Sequence, residues 1–384
     1  MKTNNNILPK GWEVKEFAQF AEVSKAKYNP ISTEDLKCIE LEHLNQETGN
    51  INGWVNSSEQ KSTKNKFQKG QVLFGKLRPY LKKYWLAEFD GVCSSEIWVL
   101  NSVSKKCTNE FLFRLVQSEK FIQVANVSSG SKMPRADWDY VSEFPFSLPP
   151  LPEQTAIAAL LSTWDTAIQK IATLIAQKQL QKKWLMQKLL SGKKKNENHM
   201  LGNYIKEVSV RNTGNKITRV LSVTNSRGFI DQEEQFDRVV ASKEQGNYKV
   251  VKKGQFAYNP SRVNVGSLDL LRKFDEGILS PMYVVFEPDT EKINIEYLFY
   301  LLKTTLFTAR IPMFVQGSVR DTLSFDGLCG MKFFIPSISE QTKIAQILQT
   351  ADKEIQLLKS KSEKLKEQKK GLMQQLLTGK KRLT

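Results

Sequence analysis

Hydrophobic residues recur at alternating steps of three and four in two stretches of the chain, and this spacing predicts two long amphipathic helices. The apolar positions run from Ile157 to Leu189 in the first stretch and from Ile344 to Leu376 in the second. A heptad pattern sustained over this length places one apolar stripe along a helix and is typical of a coiled coil. At about 1.5 Å per residue, each predicted helix spans roughly 55–60 Å.

The two stretches are copies of each other, 187 residues apart. The first begins EQTAIAALLSTWDTAIQ at Glu153 and ends QKKWLMQKLLSGKK, while the second begins EQTKIAQILQTADKEIQ at Glu340 and ends QKKGLMQQLLTGKK. Copies this far apart indicate a duplicated two-part unit and not a solenoid. Their equal length favours two helices that pack on each other. The alternative is a pair of ordinary amphipathic helices in separate cores.

Helix boundaries are signalled in both copies, although each apolar stripe is interrupted. Prolines precede each helix, and Gly192 and Gly379 lie where C-terminal caps belong. Polar residues then break the predicted seams near their middle, at Lys178, Lys182, Ser362 and Lys369. Each seam is therefore expected to be imperfect.

The segments that precede the helices are built alike. Each contains a Lys-Gly-Gln turn followed by apolar residues, then a strand-like run, and then a short helix beginning near a glutamate. The strand-like runs are 97–100 and 282–286, and the short helices are 110–117 and 296–303. Short strands with glycine turns and few helices predict an α+β domain with a small mixed or antiparallel sheet.

The predicted order is therefore domain, helix, domain, helix. We assign residues 1–152 to the first globular domain, 153–195 to the first long helix and a linker, 196–339 to the second domain, and 340–384 to the second helix and a basic tail. If the helices pair antiparallel, they separate the two domains and an approximate twofold axis relates the halves.

The net charge of +17 over 384 residues indicates a polyanionic partner. The two helical segments with their tails carry +6 each, so the globular segments are nearly balanced and any nucleic-acid surface on them is local. Helical lysines of this kind form a solvated face, contact phosphates or meet an acidic partner.

Composition excludes several classes of protein. The chain has four cysteines without a CxxC pair and only two histidines, so a zinc finger is excluded by spacing and buried free thiols are expected. No apolar run reaches the roughly 18 residues of a membrane span, and the N-terminus lacks the apolar core of a signal peptide. We therefore expect a cytoplasmic protein without a membrane partner.

The tandem design and the repeated helix starts resemble the specificity subunit of type I restriction-modification systems. The opening LPKGW and the KGQ…NPSRVNVGS…GILSPMY stretch are also similar to that family, and the resemblance covers essentially the whole chain. It implies two target recognition domains that each read one half of a split double-stranded DNA sequence. It further implies that the helices dock two methyltransferase (modification) subunits, and that restriction subunits with helicase and nuclease activity join through the complex, in defence against foreign DNA.

Catalytic chemistry is not predicted for this chain. The string YNPSR at 258–262 is similar to the Asn-Pro-Pro-aromatic motif of amino-methyltransferases, but Arg262 stands where the aromatic residue belongs. No glycine-rich turn for S-adenosylmethionine is present, nor any Walker motif, nucleophile elbow or convincing metal cluster. We therefore expect neither a catalytic site nor a cofactor or metal.

DNA reading requires bidentate donors and acceptors on loops, with further polar groups on phosphates. In the first domain the candidates lie in GKLRPYLKKYW and in the GSKMPR loop, and in the second they lie in NPSRVN and GSVR. The predicted DNA-binding residues are Lys76, Arg78, Tyr80, Lys82, Lys83, Lys132, Arg135, Asn259, Arg262, Asn264, Ser318 and Arg320. A structural or solvent-facing role is the alternative for each single residue.

Two other functions stay open at this point. A coiled-coil adaptor joining two protein-binding domains requires no sequence-specific DNA binding. A self-sufficient DNA methyltransferase requires the cofactor turn that the sequence lacks.

Overall fold

Two compact units make up the computed structural model of the chain, which describes residues 8–29, 35–103, 105–127, 133–191, 198–232, 245–315 and 322–383. The first unit comprises residues 1–173 and 360–384, and the second comprises residues 174–359. Each unit contains a sheet-rich segment together with part of both long helices. The predicted α+β class, with two sheet-rich segments and two long helices, is confirmed.

Small sheets form the globular part of the first unit. A four-stranded sheet has the order β2-β10-β7-β8, a five-stranded sheet has the order β3-β6-β9-β4-β5, and β1 pairs with β11. All of these pairings are antiparallel except that of β4 with β9. The strands are β1 (Glu13–Glu16), β2 (Ala21–Val23), β3 (Lys27–Tyr28), β4 (Lys37–Ile39), β5 (Val55–Asn56), β6 (Lys64–Phe67), β7 (Val72–Gly75), β8 (Tyr84–Leu86), β9 (Gly91–Cys93), β10 (Ile97–Ser102) and β11 (Pro145–Leu148).

The second unit repeats the four-stranded sheet in the order β13-β20-β17-β18, and β12 pairs with β21 as β1 does with β11. Two further antiparallel pairs are β14-β15 and β16-β19. The strands are β12 (Asn198–Met200), β13 (Ile205–Val208), β14 (Leu221–Thr224), β15 (Gly228–Asp231), β16 (Lys249–Lys252), β17 (Phe256–Tyr258), β18 (Leu268–Leu270), β19 (Glu276–Leu279), β20 (Val284–Pro288) and β21 (Lys332–Phe334).

The described residues of each unit also form three short α-helices, and the two long helices are continuous over 40 residues each. The short helices begin at Ser, Thr, Asp or Asn caps whose side chains accept a backbone N–H, as helix starts favour. The helices are α1 (Asn109–Val116), α2 (Glu119–Ala125), α3 (Trp138–Glu143), α4 (Leu151–Leu190), α5 (Ile295–Leu302), α6 (Thr305–Phe314), α7 (Phe325–Gly330) and α8 (Ile338–Leu377). None of the helices in the described ranges is long and apolar enough to cross a membrane.

The long helices enter the hydrophobic core of each unit from opposite ends. In the first unit, Ile157 and Leu161 from the start of α4 share a core with Leu376 and Leu377 from the end of α8. In the second, Leu190 from the end of α4 shares a core with Ile344 and Leu348 from the start of α8. The predicted antiparallel pairing is therefore confirmed within each unit, and the helices are also part of the globular cores.

A repeated glutamine attaches each long helix to its neighbouring sheet-rich segment. The Gln154 amide donates to the backbone oxygens of Lys106 and Pro149 and accepts from the N–H of Thr108. Gln341, its repeat counterpart, makes the same three bonds around α5, to Lys292, Pro336 and Asn294. Both glutamines are buried, so the bonds satisfy backbone groups that water does not reach.

The three lysines that interrupt the apolar stripes all form ion pairs across the helix pair, and Lys178 lies 2.8 Å from Glu354. Lys369 binds Asp165 in the first unit, and Lys182 binds Asp352 at 2.5 Å in the second. Asp165 also binds Arg114 at 2.6 Å, and Asp352 accepts from the Tyr300 hydroxyl at 2.8 Å. Each of these lysines is neutralised by a carboxylate of the opposite helix, so ion pairs occupy the places where the apolar seam is interrupted.

An ion pair at the start of α4 in the first unit has no counterpart at the start of α8 among the described residues. Glu153 is 5% exposed and accepts from Trp12 at 3.0 Å and from Arg382 at 2.8 Å. Burial raises the pKa of Glu153, but the bonds from Arg382, Trp12 and the Leu383 N–H prevail and lower it overall. Glu340, the repeat counterpart, is exposed.

We predict that Asp165→Asn destabilises the chain by about 3 kcal/mol, because it leaves Arg114 and Lys369 buried without a counter-charge. Their side chains are only 7% and 14% exposed. Urea unfolding of the full chain measures the effect. Asp352→Asn is the matched control and costs about 1 kcal/mol or less, because the Asp352 side chain is 43% exposed. Equal losses in the two variants would contradict this account.

Glu153→Gln is expected to lower stability by about 1–3 kcal/mol at neutral pH, because a buried charged hydrogen-bond acceptor is removed. Since the folded pKa lies below its ordinary value of 4.5, the contribution is complete above that value and is lost as pH falls through the folded pKa. Melting temperatures of the variant and the wild type should therefore converge between neutral and strongly acidic pH. Glu340→Gln should follow the wild type at every pH, and a constant gap for Glu153→Gln would refute the ionic explanation.

Candidate nucleic-acid interface

The predicted cluster in the first unit lies on the turn that follows β7. This turn leads into a short 3-10 helix, Pro79–Leu81, and Arg78 before it has the left-handed φ of 53°. The segment 134–136 runs alongside, with the Arg78 N–H donating to Pro134 O and the Ala136 N–H to Lys76 O, both at 2.8 Å. The structure thus brings Lys76, Arg78 and Arg135 together at the end of β7 in the four-stranded sheet.

The side chains of this cluster differ in what they already bind. Arg78 and Tyr80 are exposed, and Arg78 makes no ion pair with any carboxylate of the described residues. Arg135 is paired with Glu96 at 3.0 Å, which raises its pKa, and Lys83 donates to the backbone oxygen of Leu41. Arg78 is therefore the cluster's most available bidentate donor.

Lys82 is held within the fold by two carboxylates. Its ammonium lies 3.1 Å from Glu47 and 3.4 Å from Glu119. Burial lowers the pKa of Lys82, but the two carboxylates raise it by more, so the net shift is upward. Because Lys82 ends the 3-10 helix, these two ion pairs attach the helix to Glu47 and Glu119.

The second unit presents a matching turn after β17. Asn259 leads through Arg262 into the 3-10 helix Val263–Val265, and the Leu323 N–H donates to Pro260 O at 3.2 Å. Arg262 and Asn264 are exposed. Asn259 is 8% exposed; its side-chain oxygen accepts from the Ser261 N–H, and its nitrogen lies 3.7 Å from the sulfur of Met282.

Arg78 and Arg262 occupy equivalent places in the two units. Each directly precedes a 3-10 helix, and each follows the strand that pairs with β10 or β20 in a four-stranded sheet. Both 3-10 helices end in a left-handed residue, Lys82 in one unit and Gly266 in the other. Neither arginine forms an ion pair within the described parts of the chain.

Three of the predicted residues, Lys132, Ser318 and Arg320, lie outside the described residues. The structure adds one element to the predicted turns. The tip of the β14-β15 hairpin, Asn225–Arg227, lies beside the end of the Val263–Val265 helix, where Asn225 approaches Gly266. The signal in the sequence was the NSRG stretch between two strand-like runs, a pattern typical of a hairpin.

These turns offer exposed hydrogen-bond donors in each unit. Two exposed guanidinium groups provide planar forks that match guanine edges or phosphates. Among the described residues there is no group of three His, Cys, Asp or Glu side chains that could hold a metal ion. The geometry therefore fits recognition of a polyanion at two separate turns.

The chain is similar to known specificity subunits of type I restriction enzymes. A stretch of 153 residues is 33% identical to the type I restriction enzyme EcoDI specificity subunit of Escherichia coli and covers 39% of this chain, but only 34% of that relative. The MjaVIII specificity subunit of Methanocaldococcus jannaschii is 26% identical over 319 residues, which cover 76% of this chain and 74% of the relative.

A solved chain from a study of complex assembly and conformational transition in the type I R-M system has a similar fold. Its TM-score is 0.63 at 17% identity, and the match covers 97% of this chain and 99% of that one. The family described as type I restriction modification DNA specificity domain matches residues 9–178 and 270–367, well over half of the sequence. The chain therefore belongs to the type I restriction-modification DNA specificity family.

Proposed function

We propose that this chain is the DNA-recognition subunit of a type I restriction-modification complex and that it reads a bipartite target in double-stranded DNA. Each sheet-rich segment reads one half-site, in the cytoplasm where the chromosomal DNA lies. The observation that carries the proposal is the equivalent placement of Arg78 and Arg262, exposed and without an acidic partner among the described residues, on matching turns of a duplicated sheet.

The long helices have a second role in this proposal, which is to set the gap between the half-sites and to dock two modification subunits. Supporting this, α4 and α8 carry large apolar side chains on their exposed faces, with Leu180 68% and Leu357 71% exposed. Exposed apolar residues on a charged helix favour a protein partner. Restriction subunits then join through the assembled complex.

The chain itself is proposed to be non-catalytic, with methyl transfer and cleavage carried out by partner chains. The asparagine of the NPSR string supports this. Its amide lies inward against Met282 and its own turn, whereas an asparagine that grips a target base must face an open pocket. Arg262, at the position of the stacking aromatic residue, is an exposed cation.

Arg78→Ala and Arg262→Ala are expected to relax different halves of the target. Each variant should lose about 1–3 kcal/mol of discrimination against the wrong base at one contacted base pair, because a bidentate contact usually contributes that much. The measurement is methylation mapping in cells that express the variant together with the modification subunits. Binding that ignores sequence in the wild-type complex would favour a coiled-coil adaptor instead.

Arg272→Ala provides the matched control for both variants. This arginine belongs to the second unit and is partly exposed, but its guanidinium is paired with Glu296 at 2.7 Å. Its loss should leave the methylated sequence unchanged. If Arg78→Ala and Arg262→Ala altered the same half-site, the assignment of one half-site to each unit would fail.

Four residues inserted after Gln177 of α4 should lengthen the unspecified gap while both half-sites stay the same. The insertion adds about 6 Å of helix and slightly more than one turn, so the heptad phase is disturbed only locally. Because DNA rises about 3.4 Å per base pair, the gap should grow by one or two base pairs. The same methylation mapping tests this, and full activity with an unchanged gap would rule out a measuring role for the helices.

A further inference from the structure

The β14-β15 hairpin ends in a tight loop whose conformation is fixed. Thr224 and Gly228 are paired across it, which leaves Asn225, Ser226 and Arg227 as an exposed three-residue tip. Gly228 has a φ of +62°, as the closing residue of such a loop often does. A Cβ atom at Gly228 would lie 1.7 Å from the Asp269 carboxylate, so only glycine fits this position.

Side-chain hydrogen bonds hold the backbone of Arg227 in place. Its N–H donates to the Thr224 hydroxyl at 3.2 Å, and that hydroxyl lies 3.2 Å from the Gly228 backbone oxygen. The Phe229 N–H donates to Asp269 at 3.3 Å, which ties the hairpin to β18. A cationic side chain on such a fixed backbone is suited to specific recognition, because less order has to be gained on binding.

The hairpin tip lies directly against the turn that carries Arg262. A Cβ atom on Gly266 would come within 2.3 Å of the Asn225 side-chain oxygen, and the Ser267 hydroxyl donates to Val223 O at 2.7 Å. The tip and the Arg262 turn therefore belong to one continuous surface of the second unit.

The corresponding hairpin of the first unit has the opposite charge at its tip. Leu44 and Ile51 are bridged there, and Glu47 in the loop has a left-handed φ of 62°. The Glu47 N–H donates to Lys82 O at 2.9 Å, and its carboxylate lies 3.1 Å from the Lys82 ammonium. This tip uses its charge within the fold, where it neutralises a lysine.

We propose that Arg227 is a specificity-determining residue that reads a base pair in the half-site bound by the second unit, next to the one read by Arg262. The proposal rests on the DNA-recognition function proposed above. Arg227 is exposed and makes no ion pair with a carboxylate of the described residues, whereas Arg219, which precedes the same hairpin, is paired with Asp231 at 3.5 Å. Its guanidinium fork is therefore available for a bidentate contact with a purine edge in the major groove.

The test compares Arg227→Ala and Arg227→Lys with wild type in the complete complex with its modification subunits, by selection from a randomised duplex library. Arg227→Ala should lose roughly 5- to 150-fold discrimination at one base pair of one half-site, with the other half-site intact. Arg227→Lys keeps the charge but not the planar fork, so it should lose most of the same discrimination while keeping overall affinity. Arg219→Ala is the matched control and should keep the wild-type sequence preference.

Several outcomes would overturn the proposal. Uniformly weaker binding to all sequences, with the salt dependence reduced by about one charge, would make Arg227 a phosphate contact. If the Arg227→Ala complex kept the wild-type sequence preference and affinity, Arg227 would not contact the DNA. A wild-type complex without any sequence preference would overturn the recognition function itself, and this is visible before any variant is compared.

Discussion

A carboxylate on each long helix faces a lysine on the other, and this ion pair fixes the register in which the helices meet within each unit. Asp165 meets Lys369, and Asp352 meets Lys182, positions that correspond to each other in the repeat. Apolar stripes alone tolerate sliding by a heptad, whereas a charge pair of defined position does not. The same carboxylates also bind a short helix of the sheet-rich segment, through Arg114 in one unit and Tyr300 in the other. One group therefore orients the long helices and the recognition segment together.

Much of this architecture is readable from periodicity, because the elements involved are long or repeated. The long helices, the strand over 97–100 and the short helices near 110 and 296 all follow from local patterns. The ion-pair partners of Lys182 and Lys369 could not be predicted, because the two carboxylates lie 170 and 204 residues away in sequence. Ion-pair partners that are distant in sequence can be identified only when it is known which elements pack together. No local sequence pattern gives that pairing.

The candidate interface shows the same limit at the level of single side chains. The turns that carry Arg78 and Arg262 could be located, since a strand followed by a basic turn is a local signal. The sequence did not reveal that Lys82 is held by Glu47 and Glu119, or that Asn259 is buried. The sequence also did not predict that the β14-β15 hairpin lies beside the second turn. That contact, between Asn225 and Gly266, is a tertiary one. Whether a polar side chain is available to bind DNA therefore depends on its tertiary contacts.

The composition of the first unit has a consequence for synthesis on the ribosome. Its core requires Leu376 and Leu377, and its buried Glu153 is paired with Arg382, so it is incomplete until Arg382 has emerged. The second unit ends at residue 359 and has all its parts earlier. Domains made first usually fold first, but here part of the apolar surface of the segment made first stays uncovered until the second half of α8 has been made.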